Sequence, residues 1–159
     1  MRITLQRVKN LKRSDTMTTE QLYEIMDREG IALYRAPLPQ TRSVSVAIGK
    51  DYYAIGVDTA RWESEAEERS HIAHELGHCV CDAFYRPYAN GECRGKQEYR
   101  ADKWAIRKLM PWRQLNAALH AGIVDRWALA DHFRVTEAFV NRALDFYERD
   151  GKLPIREEG

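Results

Sequence analysis

The spacing of apolar positions changes character along the chain, and the changes divide it. In TTEQLYEIMDREG, residues 18–30, Leu22, Ile25 and Met26 fall on one helical face, with Thr18 or Thr19 as the cap and Gly30 as the stop. IALYRAPLP, SVSVAIG and YYAIGVD follow, each short, rich in β-branched or aromatic residues and bounded by Gly, Pro or Asp. They read as strands, with a tight turn at Gly49-Lys50-Asp51 and a hairpin near residues 43–57. From about residue 60 to residue 85 the period becomes helical. Pro87, Asn90, Gly91 and Gly95 then mark a loop, and a second helix is expected over about 97–110, stopped at Pro111. Three further helical stretches fill the C-terminal third, with breaks near Gly122 and at Val135-Thr136. The pattern predicts an α+β fold: a small, partly antiparallel sheet packed on helices, followed by a helical C-terminal subdomain. The expected divisions are a basic extension (1–16), a core (17–111), a helical unit (112–150) and a tail (151–159).

Composition narrows the classes of function. The 159 residues fit one domain, and 44% hydrophobic content is enough for a core. Charged residues make up 31% with a net charge of +1, which gives no general reason to expect nucleic acid or a membrane surface as partner. No apolar run approaches membrane-spanning length, and the first residues lack the apolar centre of a secretory signal. Three cysteines, two of them in a C-x-C pair, suit free thiols in a reducing cytoplasm. Residues 1–16 carry five Lys/Arg and read as a basic arm.

The chemistry concentrates in HIAHELGHCVCD, residues 71–82. His74 and His78 form H-E-x-x-H, and residues four apart share one face of a helix, so two imidazoles can grip one zinc ion. Glu75 follows the first histidine, where a carboxylate acts as general base rather than ligand. A catalytic zinc needs a third protein ligand. Glu98 and Asp102 are again four apart, which suits a carboxylate ligand and a carboxylate behind it that accepts from a histidine's other ring nitrogen. Asp102 competes with Glu98 for the ligand role, and an ordinary ion pair to a neighbouring Lys or Arg competes with its place behind the histidine. Cys81 completes an i, i+4, i+7 series with the histidines, the pattern of a His₂Cys site, but seven residues rise about 10.5 Å along a helix, which disfavours bonds from all three to one tetrahedral ion. The other thiols, Cys79 and Cys93, read as small apolar or semi-exposed groups. His71 has no place in a metal geometry and reads as a surface or outer polar residue. Tyr85, His120 and His132 are open candidates for stabilising an oxyanion.

HELGH followed about twenty residues later by EYRADKWAIRKLMP resembles the ImmA/IrrE-type family of bacterial and phage zinc metallopeptidases. The order of helix, small sheet and zincin-like helix is similar too, as is LADHFRVTEAFVNRAL, so the likeness covers roughly residues 18 to 148. It implies His74, His78 and Glu98 as zinc ligands, Glu75 as base and Asp102 as the acid after the ligand. It also implies a cytoplasmic regulatory protease that cleaves a transcriptional repressor encoded nearby. A strand near 43–49 or 52–57 could hold the substrate extended.

Two other readings compete. WALADHFRVTEAFVNRAL has the look of a helix-turn-helix, but residues 111–159 carry seven Lys/Arg against eight Asp/Glu, which argues against strong nucleic-acid binding. A regulator acting by docking alone is opposed by the intact Glu75 and ligand set. A toxin-like protease is opposed by the lack of a secretion signal.

Overall fold

The computed structural model describes residues 16–153. Residues 1–15 of the expected basic arm and 154–159 of the expected tail lie outside the described residues.

Helix α1 (Thr19–Arg28) opens on a capping box: Thr18 Oγ1 accepts the Gln21 N–H, and the Gln21 side chain accepts the Thr18 N–H. Its Leu22, Ile25 and Met26 are buried, as their spacing predicts, and Gly30 takes the left-handed conformation that turns the chain out of the helix. Strands β1 (Ala32–Arg35), β2 (Ser43–Ile48) and β3 (Tyr52–Val57) form one sheet in the order β1-β3-β2. The β2–β3 hairpin is antiparallel, and Gly49, at φ +73°, makes its turn. β1 pairs with β3 in parallel. β3 is therefore the central strand. Of the two segments expected to offer a free edge, only β2 does so.

A 3₁₀ turn (Thr59–Arg61) leads into α2 (Glu65–Val80), so the helix is shorter at both ends than the pattern suggested. Ser64 caps its start by accepting the Glu67 N–H, and Asp82, at φ +48°, turns the chain just beyond its end. Helix α3 (Gly91–Leu109) begins well before the expected residue 97. Asn90 accepts the Cys93 N–H at 2.8 Å, and this cap outweighs the low helix propensity of Gly91 and Gly95. Helices α4 (Trp112–His120), α5 (Arg126–Phe133) and α6 (Glu137–Arg149) follow.

The core is one apolar cluster. It takes in Met26 from α1, Ile55 from β3, Leu76 from α2 and Ile106 from α3, and continues through Leu115, Phe133 and Phe139 of the last three helices. The α5–α6 corner is tied to α2 by polar bonds as well. Arg69, fully buried, donates from Nε to the Arg134 carbonyl at 3.0 Å, and Ser70 Oγ accepts the Thr136 N–H at 3.2 Å. Tyr147 donates to the Met110 carbonyl at 2.7 Å and so joins α6 to the end of α3. No helix among the described residues is long and apolar enough to cross a membrane.

Candidate metal centre

Helix α2 supplies His74, Glu75 and His78, and α3 must come close enough to answer them. Gly77 makes that approach possible. A Cβ there would stand 2.4 Å from the Ala101 carbonyl oxygen, so any larger residue would force the two helices apart. Across this contact His74 meets Asp102 and His78 meets Glu98, so α3 runs back antiparallel to α2.

The hydrogen bonds orient both rings. His74 Nδ1 lies 2.9 Å from Asp102 Oδ1, and His78 Nδ1 lies 2.6 Å from the Ala83 carbonyl oxygen. A carboxylate and a carbonyl only accept, so each imidazole carries its proton on Nδ1 and turns Nε2 inward. The two Nε2 atoms are 3.1 Å apart. Glu98 closes the triangle, with Oε2 3.1 Å from His74 Nε2 and Oε1 3.4 Å from His78 Nε2. Ligand atoms at about 2.0–2.1 Å from a tetrahedral ion stand about 3.3 Å from one another, so this spacing fits zinc. Among the described residues these three side chains are the group able to hold a metal ion.

Electrostatics points the same way. Burial opposes a charged His74, but hydrogen bonds to Asp102 and Glu98 outweigh it and raise its pKa to about 10. For His78 too, burial is outweighed, by Glu98 and the Ala83 carbonyl, and its pKa rises. Hydrogen bonds to the two histidines hold the Glu98 carboxyl far below the usual carboxylate range. The pocket is thus built for positive charge, which a proton or a metal ion can supply.

Glu75 is 7% exposed and faces the same cleft. Its Oε1 accepts from Ser43 Oγ at 2.8 Å, and Ser43 Oγ lies 3.2 Å from His71 Nδ1. The hydroxyl has one proton, which goes to Glu75, so Ser43 accepts the His71 Nδ1–H. Burial lowers the His71 pKa and favours the neutral ring, and the bond to Ser43 needs that ring's proton on Nδ1. Ser43 had no signature in the sequence. It is the first residue of β2, and only the packing of that strand against α2 brings it to Glu75. Tyr85 donates to Glu98 Oε1 at 3.1 Å, which places it at the site. His120 bonds to the Asn116 carbonyl of its own helix, and His132 packs edge-on against Phe133. Cys81 lies past the end of α2 and lines a separate cavity with Arg100 and Trp104, not this one. Asp102 has both partners weighed for it: His74, and Arg142 at 3.5 Å.

The cleft, of about 610 Å³, has Thr41 and Ser43 on one wall and Thr136, Ala138 and Arg142 on the other. An HExxH helix answered by a carboxylate from an antiparallel neighbour, beneath the open edge of a small sheet, is the framework of a metallopeptidase. The chain belongs to the peptidase M78 family, whose IrrE N-terminal-like domain matches residues 26–145. No individual curated protein and no solved structure gives a significant match.

Proposed function

We propose that the protein is a zinc-dependent endopeptidase in which His74, His78 and Glu98 hold the metal and Glu75 is the general base. The observation that carries this reading is the convergence of two inward-facing Nε2 atoms and the Glu98 carboxylate, with Glu75 lining the same cleft. When bound, zinc supplies Lewis acidity to the scissile carbonyl and acidifies the attacking water. Glu75 takes the water's proton and later gives it to the leaving amine. Ser43 keeps Glu75 aimed into the cleft through one carboxylate oxygen and leaves the other free. Asp102 and the Ala83 carbonyl fix the two rings so that their lone pairs stay on the metal side. Tyr85 stays protonated, since burial and the nearby Glu98 raise its pKa, and its O–H donates to Glu98 and so helps to hold that carboxylate in place. The free edge of β2 begins beside Glu75 and holds an extended substrate by strand addition.

The resemblance to ImmA/IrrE-type proteins makes a transcriptional repressor encoded nearby in a bacterial, phage or mobile-element genome the substrate to test first, in the cytoplasm. The alternative of a DNA-reading tail is opposed by the position of α6. The N-terminal turns that would enter a groove instead wall the metal cleft, through Thr136 and Ala138.

Glu75→Gln separates a protease from a regulator that acts by docking. The variant keeps size and hydrogen bonding and loses only the base. With zinc retained, cleavage of the co-expressed repressor should fall by roughly 10²–10⁴-fold, the effect of losing a general base. Full-length repressor is followed over time in cells under the inducing stress. Relief of repression by both wild type and Glu75→Gln, with no repressor fragments from either, would favour docking.

A further inference from the structure

Arg142 stands on α6, far along the chain from the HExxH helix, yet it lines the metal cleft. Its Nε lies 3.5 Å from Asp102 Oδ1, the same oxygen that lies 2.9 Å from His74 Nδ1. One carboxylate oxygen therefore joins a histidine of the metal centre to a cation delivered by the last helix. Asp102 is only partly buried, with a side-chain exposure of 24%, so helix packing alone does not immobilise its carboxylate. A guanidinium beside the same oxygen restricts its rotation and keeps Oδ1 turned toward the ring. Arg142 is itself braced, with its guanidinium carbon 5.6 Å from the centre of the Phe139 ring one turn earlier.

The placement of α6 does not depend on this contact. Phe139, Val140, Ala143 and Leu144 are buried in the core. Ser70 Oγ holds the Thr136 N–H, and Arg69 holds the Arg134 carbonyl. Arg142 is 44% exposed on its side chain, so it is not needed to fill the interior. A residue that the fold positions firmly, but does not use for packing, is free to act on the site.

We infer that Arg142 is a positioning residue of the metal centre. It holds the Asp102 carboxylate in the orientation that accepts the His74 Nδ1–H, and so keeps His74 Nε2 aimed at the metal. The C-terminal helices thereby become part of the metal site, although they supply no ligand. The inference rests on the reading of His74, His78 and Glu98 as the zinc ligands.

The test is zinc affinity of the full chain, measured by competition with a chromophoric chelator, for wild type, Arg142→Ala, Arg142→Lys, Asp102→Ala, the Asp102→Ala/Arg142→Ala double variant and His74→Ala. Arg142→Ala should weaken zinc binding by about 10-fold, at the lower end of the loss typical for partners behind a ligand. Arg142→Lys should recover part of that loss, because it keeps the charge without the fork. In the Asp102→Ala background, Arg142→Ala should cost less than about twofold, because residues acting through one another are not additive. Thermal melts of the metal-free variants should match wild type. If His74→Ala loses zinc but Arg142→Ala binds it as wild type does, Arg142 is a surface ion pair and the inference fails. An equal loss with and without Asp102 would show that Arg142 acts by another route, and would overturn it as well. Zinc retained in His74→Ala would instead refute the ligand assignment on which the inference stands.

Discussion

Ser43 shows how much a single side chain decides at this site. Its hydroxyl donates its one proton to Glu75 and accepts from His71, so it fixes which way the carboxylate faces. Ser43→Ala removes that bond and leaves His74, His78 and Glu98 untouched. The zinc content should stay at the wild-type level, and kcat should fall about 10-fold for the loss of one bond to a charged group. KM should change little, because the hydroxyl is turned to the base. Steady-state kinetics on a cleavable repressor peptide, with metal analysis of the same sample, checks this. A rise in KM at constant kcat would assign Ser43 to substrate binding. The meeting of His74, His78 and Glu98 was legible in advance because helix periodicity turns a spacing of four into a shared face. Ser43 was not, because its role comes from a contact between residues far apart in the chain, and a serine opening a strand looks like any other.

The pair α2 and α3 is the element that makes the site, and its separation is set at Gly77. The obstacle to a side chain there is the Ala101 carbonyl oxygen, with the Ala101 Cα also within 3.0 Å of the added atom. Gly77→Ala must push α3 outward, at a cost of about 1–3 kcal/mol for overpacking, and it carries Glu98 away from both histidines. The variant should melt at a lower temperature and lose zinc more severely than its stability loss explains. Calorimetry and chelator competition on the same protein separate the two effects. Wild-type zinc affinity in a destabilised Gly77→Ala protein would show that Glu98 follows the metal rather than the helix. The antiparallel helix pair and the β2–β3 hairpin could be read from apolar periodicity and turn residues. The start of α3 could not, because two glycines masked a helix whose beginning depends on the Asn90 cap. Nor could the central place of β3, since nothing in a short apolar strand says which neighbour it will pair with. The parallel β1–β3 pairing decides that β2 keeps the open edge.

At the scale of the whole molecule, the buried cluster passes without a break from α2 and α3 into α4, α5 and α6. A chain ended at Pro111 would lose the buried apolar residues of the last three described helices, among them Leu115, Leu129, Phe133, Phe139 and Val140. It would also lose the Tyr147 bond to the Met110 carbonyl. Such a fragment should show no cooperative thermal transition by circular dichroism and no tight zinc binding, although it contains every proposed ligand. A folded, zinc-binding fragment would show that the C-terminal helices are a separable unit. The order of these parts along the chain matters for the protein's birth. His74, His78 and Glu98 leave the ribosome well before α6, the helix that carries Arg142. A nascent chain thus displays the ligands before it has the fold that holds them at bonding distance. On the proposed reading, tight zinc loading waits until α6 has left the ribosome and packed.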